Sequence, residues 1–152
     1  MKERFLSHTA VLPVIVEEGK ILLQLRQHTG FYDGYWDFAG SGHIEQGETA
    51  TSALMREVRE ELGVSVHVTE KDCVHVSHMV MAEKSYLYFY FLVSRLAELP
   101  QIMEADKTAK LAWFSLEDLP KMLIPERRTV LELIQQSIRY SEYKIKESEN
   151  GG

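Results

Sequence analysis

One segment constrains the fold more than any other: residues 48–62 contain neither glycine nor proline and consist mostly of strong helix formers. Gly63 follows directly and is typical of the position that ends a helix. On a helical wheel of about 100° per residue, the apolar side chains form one stripe, made of Leu54, Met55, Val58 and Leu62. The sequence therefore predicts a helix over residues 48–62 that buries this stripe against a sheet.

The segments around this helix are typical of β-strands. The clearest is residues 86–91, in which tyrosine alternates with leucine or phenylalanine in the two-residue period of a strand. The tyrosine face either lines a ligand cleft or, in the more common arrangement, is covered by other parts of the protein. Further strands are predicted at residues 5–16, 21–26, 36–38, 64–81 and 110–115, a helical turn at 116–122, and a second helix at 129–140. The predicted fold class is α+β, with a mixed sheet, one central helix and one C-terminal helix.

The chain is expected to form a single domain over residues 1–152, because about 100–200 residues per domain is usual and no repeat or linker divides it. Its last dozen residues, about 141–152, are rich in charge and are predicted to form a frayed tail. No apolar run approaches the ~18–20 residues that span a bilayer, and no signal-peptide cleavage pattern follows the N-terminus. We therefore expect a cytoplasmic protein with no membrane partner.

Composition narrows the range of partners. There are 23 acidic and 17 basic side chains, for a net charge of −6, which argues against a nucleic-acid polymer as partner. A small anionic ligand would need local arginines or a bound metal cation. The single cysteine, Cys73, excludes an internal disulfide and a cysteine-based zinc site. Both a monomer and a homodimer are compatible with these features.

Three carboxylates share one side of the predicted helix. Glu57, Glu60 and Glu61 fall within about 100° of arc on the wheel. Like charges at this spacing repel one another, and a divalent cation that prefers oxygen ligands, such as Mg²⁺, Mn²⁺ or Ca²⁺, would remove that repulsion. The helix alone is equally compatible with a solvated acidic face that Arg56 partly neutralises.

The loop that precedes the helix favours the metal site. Glycines at positions 40, 42 and 47 let the backbone pass close to the helix, where its carbonyl oxygens can join a metal shell. Glu48 lies at the predicted helix start, where the helix dipole favours a carboxylate, and it can also pair with Arg56. A solvated surface helix needs none of these features.

This segment resembles a known family. Residues 42–64 match the Nudix box, GX5EX7REUXEEXGU, at every specified position, namely Gly42, Glu48, Arg56, Glu57, Val58, Glu60, Glu61, Gly63 and Val64. The resemblance extends over most of residues 5–138, since residues 36–38 resemble the strand that enters the box and residues 110–120 the family's closing strand and turn. It implies an α/β/α Nudix sandwich that hydrolyses nucleoside diphosphates linked to another moiety, with Mg²⁺ or Mn²⁺ as cofactor.

The resemblance also implies roles for five residues of the box, all of them assigned to the catalytic site. The metal-binding carboxylates would be Glu57, Glu60 and Glu61. The pair that holds the loop to the helix would be Glu48 and Arg56.

Two further metal ligands follow from the resemblance. The residue before Gly42 often offers its carbonyl to the metal, and here that residue is Ser41. Members of the family often take one more carboxylate from a later loop, where Glu104 and Asp106 are the candidates.

Other residues are candidates for contacts with the substrate. Arg26, at the end of a predicted strand, either binds a phosphate bidentately or is an ordinary surface arginine. The aromatic residues of the loop before the box either stack on a nucleobase or pack within the protein; they are Phe31, Tyr32, Tyr35 and Trp36. The expected substrate-binding residues are Arg26, Tyr35 and Glu104.

We therefore expect a Mg²⁺-dependent hydrolase, and we favour a (deoxy)nucleoside triphosphate cleaved to its monophosphate and pyrophosphate. The short aromatic loop at residues 29–35 suits a base and a triphosphate tail, and the chain offers no extra domain for a large second moiety. The alternatives are a dinucleotide polyphosphate or nucleotide sugar as substrate, and a non-catalytic Nudix module that senses a nucleotide. The complete box favours the enzyme, since a sensor has no need of all three glutamates.

Overall fold

The computed structural model describes residues 2–145, which form eight strands, two α-helices and a 3₁₀ turn at Glu70–Asp72. The strands are β1 (His8–Glu17), β2 (Lys20–Arg26), β3 (Trp36–Phe38), β4 (Gly42–His43), β5 (Cys73–Val80), β6 (Ser85–Val93), β7 (Thr108–Ser115) and β8 (Tyr140–Lys144). The helices are α1 (Ala50–Leu62) and α2 (Pro125–Gln135). Neither helix is both long and apolar enough to cross a membrane.

The strands form a mixed sheet in the order β3-β2-β1-β6-β5-β8, with β4 paired to β1 and β7 paired to β2. β1 runs antiparallel to β2 and parallel to β6. The pairing of β1 with β2 joins Val16 to Ile21 and Glu17 to Lys20, next to the turn between the two strands. Away from that turn, β1 pairs with β4 and β6 while β2 pairs with β3 and β7. The two strands therefore diverge, and the sheet opens between them.

Two hydrophobic cores lie on opposite faces of the sheet. Alternate residues of β1 point to each core, with Val11 and Ile15 on the α1 side and Leu12 and Val14 on the α2 side. The α1 core takes the predicted apolar stripe, through the buried side chains of Leu54, Val58 and Leu62. The α2 core contains Phe38, Met79, Tyr90, Val130 and Leu131. This arrangement of helix, sheet and helix confirms the predicted α+β fold class.

α1 begins two residues later than predicted because Thr49 caps it. The Thr49 hydroxyl accepts a hydrogen bond from the Ser52 backbone N–H, and the Ser52 side chain satisfies the Thr49 backbone N–H in return. Glu48 therefore lies in the loop before the helix. At the other end Gly63 adopts the left-handed conformation at φ +69°, and its N–H donates to the Arg59 carbonyl, as expected for a helix stop.

Besides the later start of α1 and the short strand β4, which was not predicted, two more segments in the first two-thirds of the chain differ from the sequence prediction. β1 starts at His8, and Phe5 and Leu6 before it are exposed. The segment predicted as strand from residue 64 becomes regular at Cys73, because the 3₁₀ turn at Glu70–Asp72 interrupts it.

The C-terminal third of the chain differs more from the sequence prediction. The second helix occupies Pro125–Gln135 rather than residues 129–140, with Pro125 in the first turn, where its fixed φ is favourable and its missing N–H costs nothing. Residues 116–122 form turns rather than a helical turn. The frayed tail predicted from about residue 141 is wrong for residues 141–144, since Tyr140–Lys144 pairs in parallel with β5, and Ile145 is buried. Residues 146–152 of that predicted tail lie outside the described residues.

Candidate active site

A cleft of about 630 Å³ lies where β1 and β2 diverge. Its lining comes from both sides of the sheet, with glutamates of α1 at one end and Arg127 of α2 at the other. A volume of this size lies within the range of about 300–1,000 Å³ typical of small-molecule sites. We call the end next to the glutamates the acidic end, and the end that contains Tyr88 and Arg127 the inner end.

The acidic end is lined by five carboxylates, those of Glu45, Glu57, Glu60, Glu61 and Glu104. Gly42 allows the closest approach between loop and helix, because a Cβ at this position would overlap the carboxylate of Glu57. The glycine that opens the motif is therefore explained by space for a glutamate of the same motif.

Arg56 joins the entry loop to the helix. Its Nε and Nη2 donate to the two oxygens of Glu48 at 2.6 and 2.9 Å, and Nη2 also donates to the His43 carbonyl at 2.9 Å. Its Nη1 donates to Glu57 at 2.7 Å and to Glu60 at 2.9 Å. These hydrogen bonds, above all the two to Glu48, raise the pKa of Arg56 above its usual range. The expected Glu48–Arg56 pair is present, and the same guanidinium also orients two of the three helix glutamates.

Ionisation is favoured at Glu48, whose pKa its hydrogen bonds with Arg56 lower, but disfavoured at Glu61 and Glu57. Burial, followed by the nearby Glu104 and Glu57 carboxylates, raises the pKa of Glu61 to about 7, with Lys107 opposing the shift. Burial also raises the pKa of Glu57, although hydrogen bonding to Arg56 works against it. The acidic end therefore holds carboxylates that are costly to ionise together without a cation.

The donor set fits a divalent cation. Carboxylate oxygens are the ligands that Mg²⁺ and Mn²⁺ prefer. Burial, and after it the nearby carboxylates, raise the pKa of Glu61, and a bound cation would favour its charged form. Among residues 2–145, no group of three or more His, Cys, Asp or Glu side chains is already arranged around a single metal position. Glu57 and Glu60 are instead drawn to Arg56, so a cation would compete with that guanidinium for them.

Two predicted residues outside the helix reach the same end of the cleft. Ser41 and Glu104 line it, whereas Asp106 is not among the lining residues. Of the two loop carboxylates proposed from the sequence, Glu104 is therefore the one in position.

Arg26, at the end of β2, and Tyr35, in the loop that follows, were both predicted to bind substrate, but they lie in different environments. Arg26 lines the cleft, and its guanidinium donates to the Phe31 carbonyl at 2.6 Å, to Asp37 at 3.0 Å and to Thr29 at 2.9 Å. It thus organises this loop from within. Tyr35 packs edge-to-face on Tyr32 against the α2 core and does not line the cleft, contrary to its expected role in substrate binding.

Tyr86 and Tyr88 of β6 both line the cleft, and Tyr88 lies at its inner end, beneath Arg127. The rings of Tyr86 and Tyr88 are nearly parallel, with centroids 5.3 Å apart, and His8 stacks on Tyr86 at 4.9 Å. Tyr90, next on the same face, is fully buried. The alternation of tyrosine with leucine or phenylalanine in the sequence predicted this tyrosine face of β6. Tyr86 and Tyr88 line the cleft, whereas Tyr90 lies in the core.

Beneath the inner end lies a buried network that the sequence analysis did not find. Arg127 donates through Nε to Asp37 at 2.8 Å and through Nη1 to Glu126 at 2.7 Å, and the Tyr90 hydroxyl also donates to Glu126 at 2.7 Å. Burial alone would raise the pKa of Asp37, but the charges of Arg127 and Arg26 hold it below its usual range. The partners are up to 90 residues apart in the chain, so no local motif announces them.

The fold, the α1 carboxylates and the loop–helix pair define a class of protein. The family model for the NUDIX domain matches residues 6–134, and the chain belongs to this family. It is a Nudix hydrolase, and members of the family act on small nucleotide substrates and generally use divalent metals such as Mg²⁺.

The chain is also similar to individual members of the family. The nucleoside triphosphatase NudI of Enterobacter sp. (strain 638) is 29% identical over 121 residues, covering 74% of this chain and 85% of that protein. The crystal structure of a MutT NUDIX hydrolase from Burkholderia pseudomallei superposes with a TM-score of 0.76 at 27% identity, covering 84% of this chain and 97% of that one. A UDP-X diphosphatase structure matches with a TM-score of 0.70 at 25% identity, covering 92% of this chain and 69% of that one.

Proposed function

We propose that this Nudix hydrolase cleaves (deoxy)nucleoside triphosphates to the monophosphate and pyrophosphate, with Mg²⁺ as its cofactor. The observation that carries the proposal is the two-ended cleft, with uncompensated carboxylates at one end and aromatic side chains at the other. A phosphate chain can bind at the acidic end only if a cation lies between it and the carboxylates. The nucleoside would then bind against the aromatic side chains at the other end. The similarity to a nucleoside triphosphatase supports the same substrate class.

The proposed metal ligands are the carboxylates of Glu57, Glu60 and Glu61, the backbone carbonyl of Ser41, and Glu104 as an additional carboxylate. When bound, a divalent cation would polarise the phosphoryl group and lower the pKa of a water molecule. Mn²⁺ is expected to substitute for Mg²⁺, because both prefer oxygen ligands.

The remaining contributions come from the chain itself. Arg56, fixed by Glu48, holds the entry loop against α1 and so keeps Gly42 and Ser41 beside the carboxylates. A glutamate of the acidic end accepts the proton of the attacking water, as general base catalysis requires. Lys107 lines the cleft 3.9 Å from Glu104 and is a cation in reach of the phosphate chain at the acidic end. Arg26 also lines the cleft and is proposed to contact the substrate, although its guanidinium is already paired with Asp37.

A substrate panel tests the proposal. Purified protein with Mg²⁺ is assayed for phosphate and pyrophosphate release from the eight common (d)NTPs, 8-oxo-dGTP, diadenosine tetraphosphate, UDP-glucose and ADP-ribose. We expect pyrophosphate from the triphosphates. A tenfold higher kcat/KM for ADP-ribose or UDP-glucose would contradict the proposed substrate class, and no release from any substrate would support a nucleotide-sensing module instead.

The panel includes a second candidate class because one similarity favours it. The match to the UDP-X diphosphatase covers nearly all of this chain, which supports a nucleotide sugar as the alternative substrate. Diadenosine tetraphosphate is included in the panel to test the dinucleotide polyphosphates, the other alternative substrate class.

Glutamate-to-glutamine variants distinguish a loss of catalysis from a loss of folding. Glu57→Gln, Glu60→Gln and Glu61→Gln should each lower kcat by orders of magnitude while the far-UV circular dichroism stays unchanged. Glu132→Gln on the exposed face of α2 is the control, because it removes one helix carboxylate away from the cleft. Wild-type activity in the Glu60 and Glu61 variants would rule out the assigned metal site.

A further inference from the structure

β8 forms one edge of the sheet. It pairs with β5 on one side, and within residues 2–145 no strand pairs with its other side. Every residue of β8 is exposed or half-exposed. An edge strand presents a row of backbone N–H and C=O groups to which a further strand can bind. None of the residues that line the cleft belongs to β8, so this edge is separate from the active site.

The hydrogen bonds to β5 determine which backbone groups of β8 point outwards. The Val76 N–H donates to the Arg139 carbonyl at 2.9 Å, and the Ile145 N–H donates to the Val80 carbonyl at 2.8 Å. The backbone groups of successive residues in a strand point in alternate directions, so the odd-numbered residues of this segment bind β5. The residues whose N–H and C=O groups point away from β5 are Tyr140, Glu142 and Lys144.

Two of these residues carry opposite charges. Glu142 and Lys144 are exposed, and they are the only charged side chains of β8. The Tyr140 hydroxyl donates to Glu142 Oε2 at 2.8 Å, which holds the carboxylate beside its neighbour on the same face of the strand. Charged residues on an edge usually prevent pairing with another strand, except where that strand offers the opposite charges at the same positions. A second copy of β8 offers them.

The outward-pointing groups limit the ways in which two copies of β8 can pair antiparallel. A pair centred on Ser141 sets Glu142 opposite the partner's Tyr140 and pairs no charges. A pair centred on Glu142 sets this residue opposite the partner's Glu142, and like charges at opposite positions are destabilising. A pair centred on Tyr143 sets Glu142 opposite the partner's Lys144, and two-fold symmetry repeats this contact with the roles exchanged. Charge complementarity therefore selects the register centred on Tyr143.

The other edges of the sheet do not offer the same complementarity. The edge of β3 is covered, because the Trp36 N–H donates to the Met122 carbonyl at 2.7 Å and the Trp36 carbonyl accepts from the Ile124 N–H at 3.1 Å. β7 pairs only with β2 within the described part of the chain, but its one charged residue is Lys110, so two copies of it would bring like charges together. β8 is thus the edge whose charges match those of its own copy.

We propose that β8 is a homodimer interface, in which two copies pair antiparallel about a two-fold axis at Tyr143 and Glu142 of each copy faces the partner's Lys144. The backbone groups of both residues point outwards, so each such pair also exchanges two backbone hydrogen bonds. The pairing joins the two sheets into one and covers the edge of each. The strand has only five residues, and a contact of this size is expected to be weak and concentration-dependent.

Sedimentation velocity of the full chain, from low to high micromolar concentration, tests for the dimer. We expect a reversible rise in mass from that of one chain to that of two. A protein that stays monomeric over this range would overturn the proposal.

Charge exchange tests the register. Glu142→Lys and Lys144→Glu should each raise the Kd of the dimer about tenfold or more, because each sets like charges opposite one another at both symmetry-related positions. The double variant, which exchanges the two charges, should restore the wild-type Kd. Glu117→Lys, in the exposed turn after β7, makes the same change of charge away from β8 and is the control. A dimer that both single variants leave unchanged would show that another surface forms it, and would overturn the proposal.

Glu142→Pro tests the backbone contact. The N–H at this position points away from β5, so proline removes no hydrogen bond within the subunit but deletes a donor of the proposed interface. The variant should be monomeric at every concentration, with a Tm close to that of monomeric wild type. A Glu142→Pro protein that dimerises like wild type would overturn the proposal. If this variant fails to fold, the charge-exchange variants decide the question.

Discussion

Glu61→Gln should stabilise the protein in the absence of divalent metal, although it should also abolish activity. Burial and the Glu104 and Glu57 carboxylates raise the pKa of Glu61 from 4.5 to about 7. Because the folded-state pKa lies above the unfolded-state value, the folded protein loses stability as the pH rises from about 4.5 to 7, and this loss is complete above pH 7. The uncharged glutamine carries no such penalty.

The size of the effect follows from the pKa. A rise from 4.5 to about 7 sets a ceiling of about 3 kcal/mol, at about 1.4 kcal/mol for each tenfold change. Glu61 is only partly buried, so solvent screening reduces this to about 1 kcal/mol. In a chain of 152 residues that corresponds to a rise in Tm of about 2–4 °C.

Urea denaturation in EDTA at pH 5 and at pH 8 provides the assay. The free energies of unfolding of Glu61→Gln and wild type should be nearly equal at pH 5, and the variant should be more stable by about 1 kcal/mol at pH 8. Saturating Mg²⁺ at pH 8 should then stabilise the wild type more than the variant, because the cation binds the folded state through this carboxylate. Glu132→Gln should change neither comparison.

One result would refute the reasoning. If Glu61→Gln at pH 8 in EDTA were no more stable than wild type, the charge at position 61 would not be an uncompensated one. The acidic end would then lack the electrostatic demand for a cation on which the metal assignment depends.

Three further substitutions test other parts of the site. Gly42→Ala should lower kcat at least about 100-fold with a loss of stability below about 2 kcal/mol, because the new methyl group displaces the Glu57 carboxylate, and steady-state kinetics with thermal melting would measure both. Arg56→Lys should weaken Mg²⁺ activation and raise KM, because an ammonium group cannot bind Glu48 bidentately while contacting Glu57 and Glu60, and a Mg²⁺ titration of the rate would detect it. Asp37→Asn should cost about 3–5 kcal/mol in urea denaturation at pH 7, since it leaves buried Arg127 without a main counter-charge; a loss below about 1 kcal/mol would contradict that role.

Local sequence patterns were sufficient for the acidic end. The helix stripe, the Gly63 stop and the Glu48–Arg56 pair are all relations between residues within about one helix length, where periodicity and spacing fix the geometry. The structure adds that Gly42 is needed for the Glu57 side chain and that Glu104, rather than Asp106, reaches the cleft. The extra carboxylate comes from a loop some forty residues downstream, and only the path of that loop decides which residue arrives.

The inner end depended on tertiary structure. Tyr35 was predicted to contact the substrate because of its chemistry and its loop, yet its ring turns into the α2 core while Tyr86 and Tyr88 take the cleft wall. β8 was missed because its charged residues suggested a free tail, whereas the open edge of β5 offers backbone hydrogen bonds that any extended segment can use.

The sequence by itself determined the family, the main helix and the carboxylates at one end of the cleft, because each depends on spacing along a single element. Only the tertiary structure decided which residues form the other end of the cleft, opposite these carboxylates. β1 and β2 part beyond their turn, and at the inner end of the cleft the Arg127 guanidinium of α2 lies over the Tyr88 ring of β6 at 4.5 Å. The Arg127–Asp37 pair that supports this end joins residues 90 positions apart, and a contact of that range leaves no periodic trace in the chain.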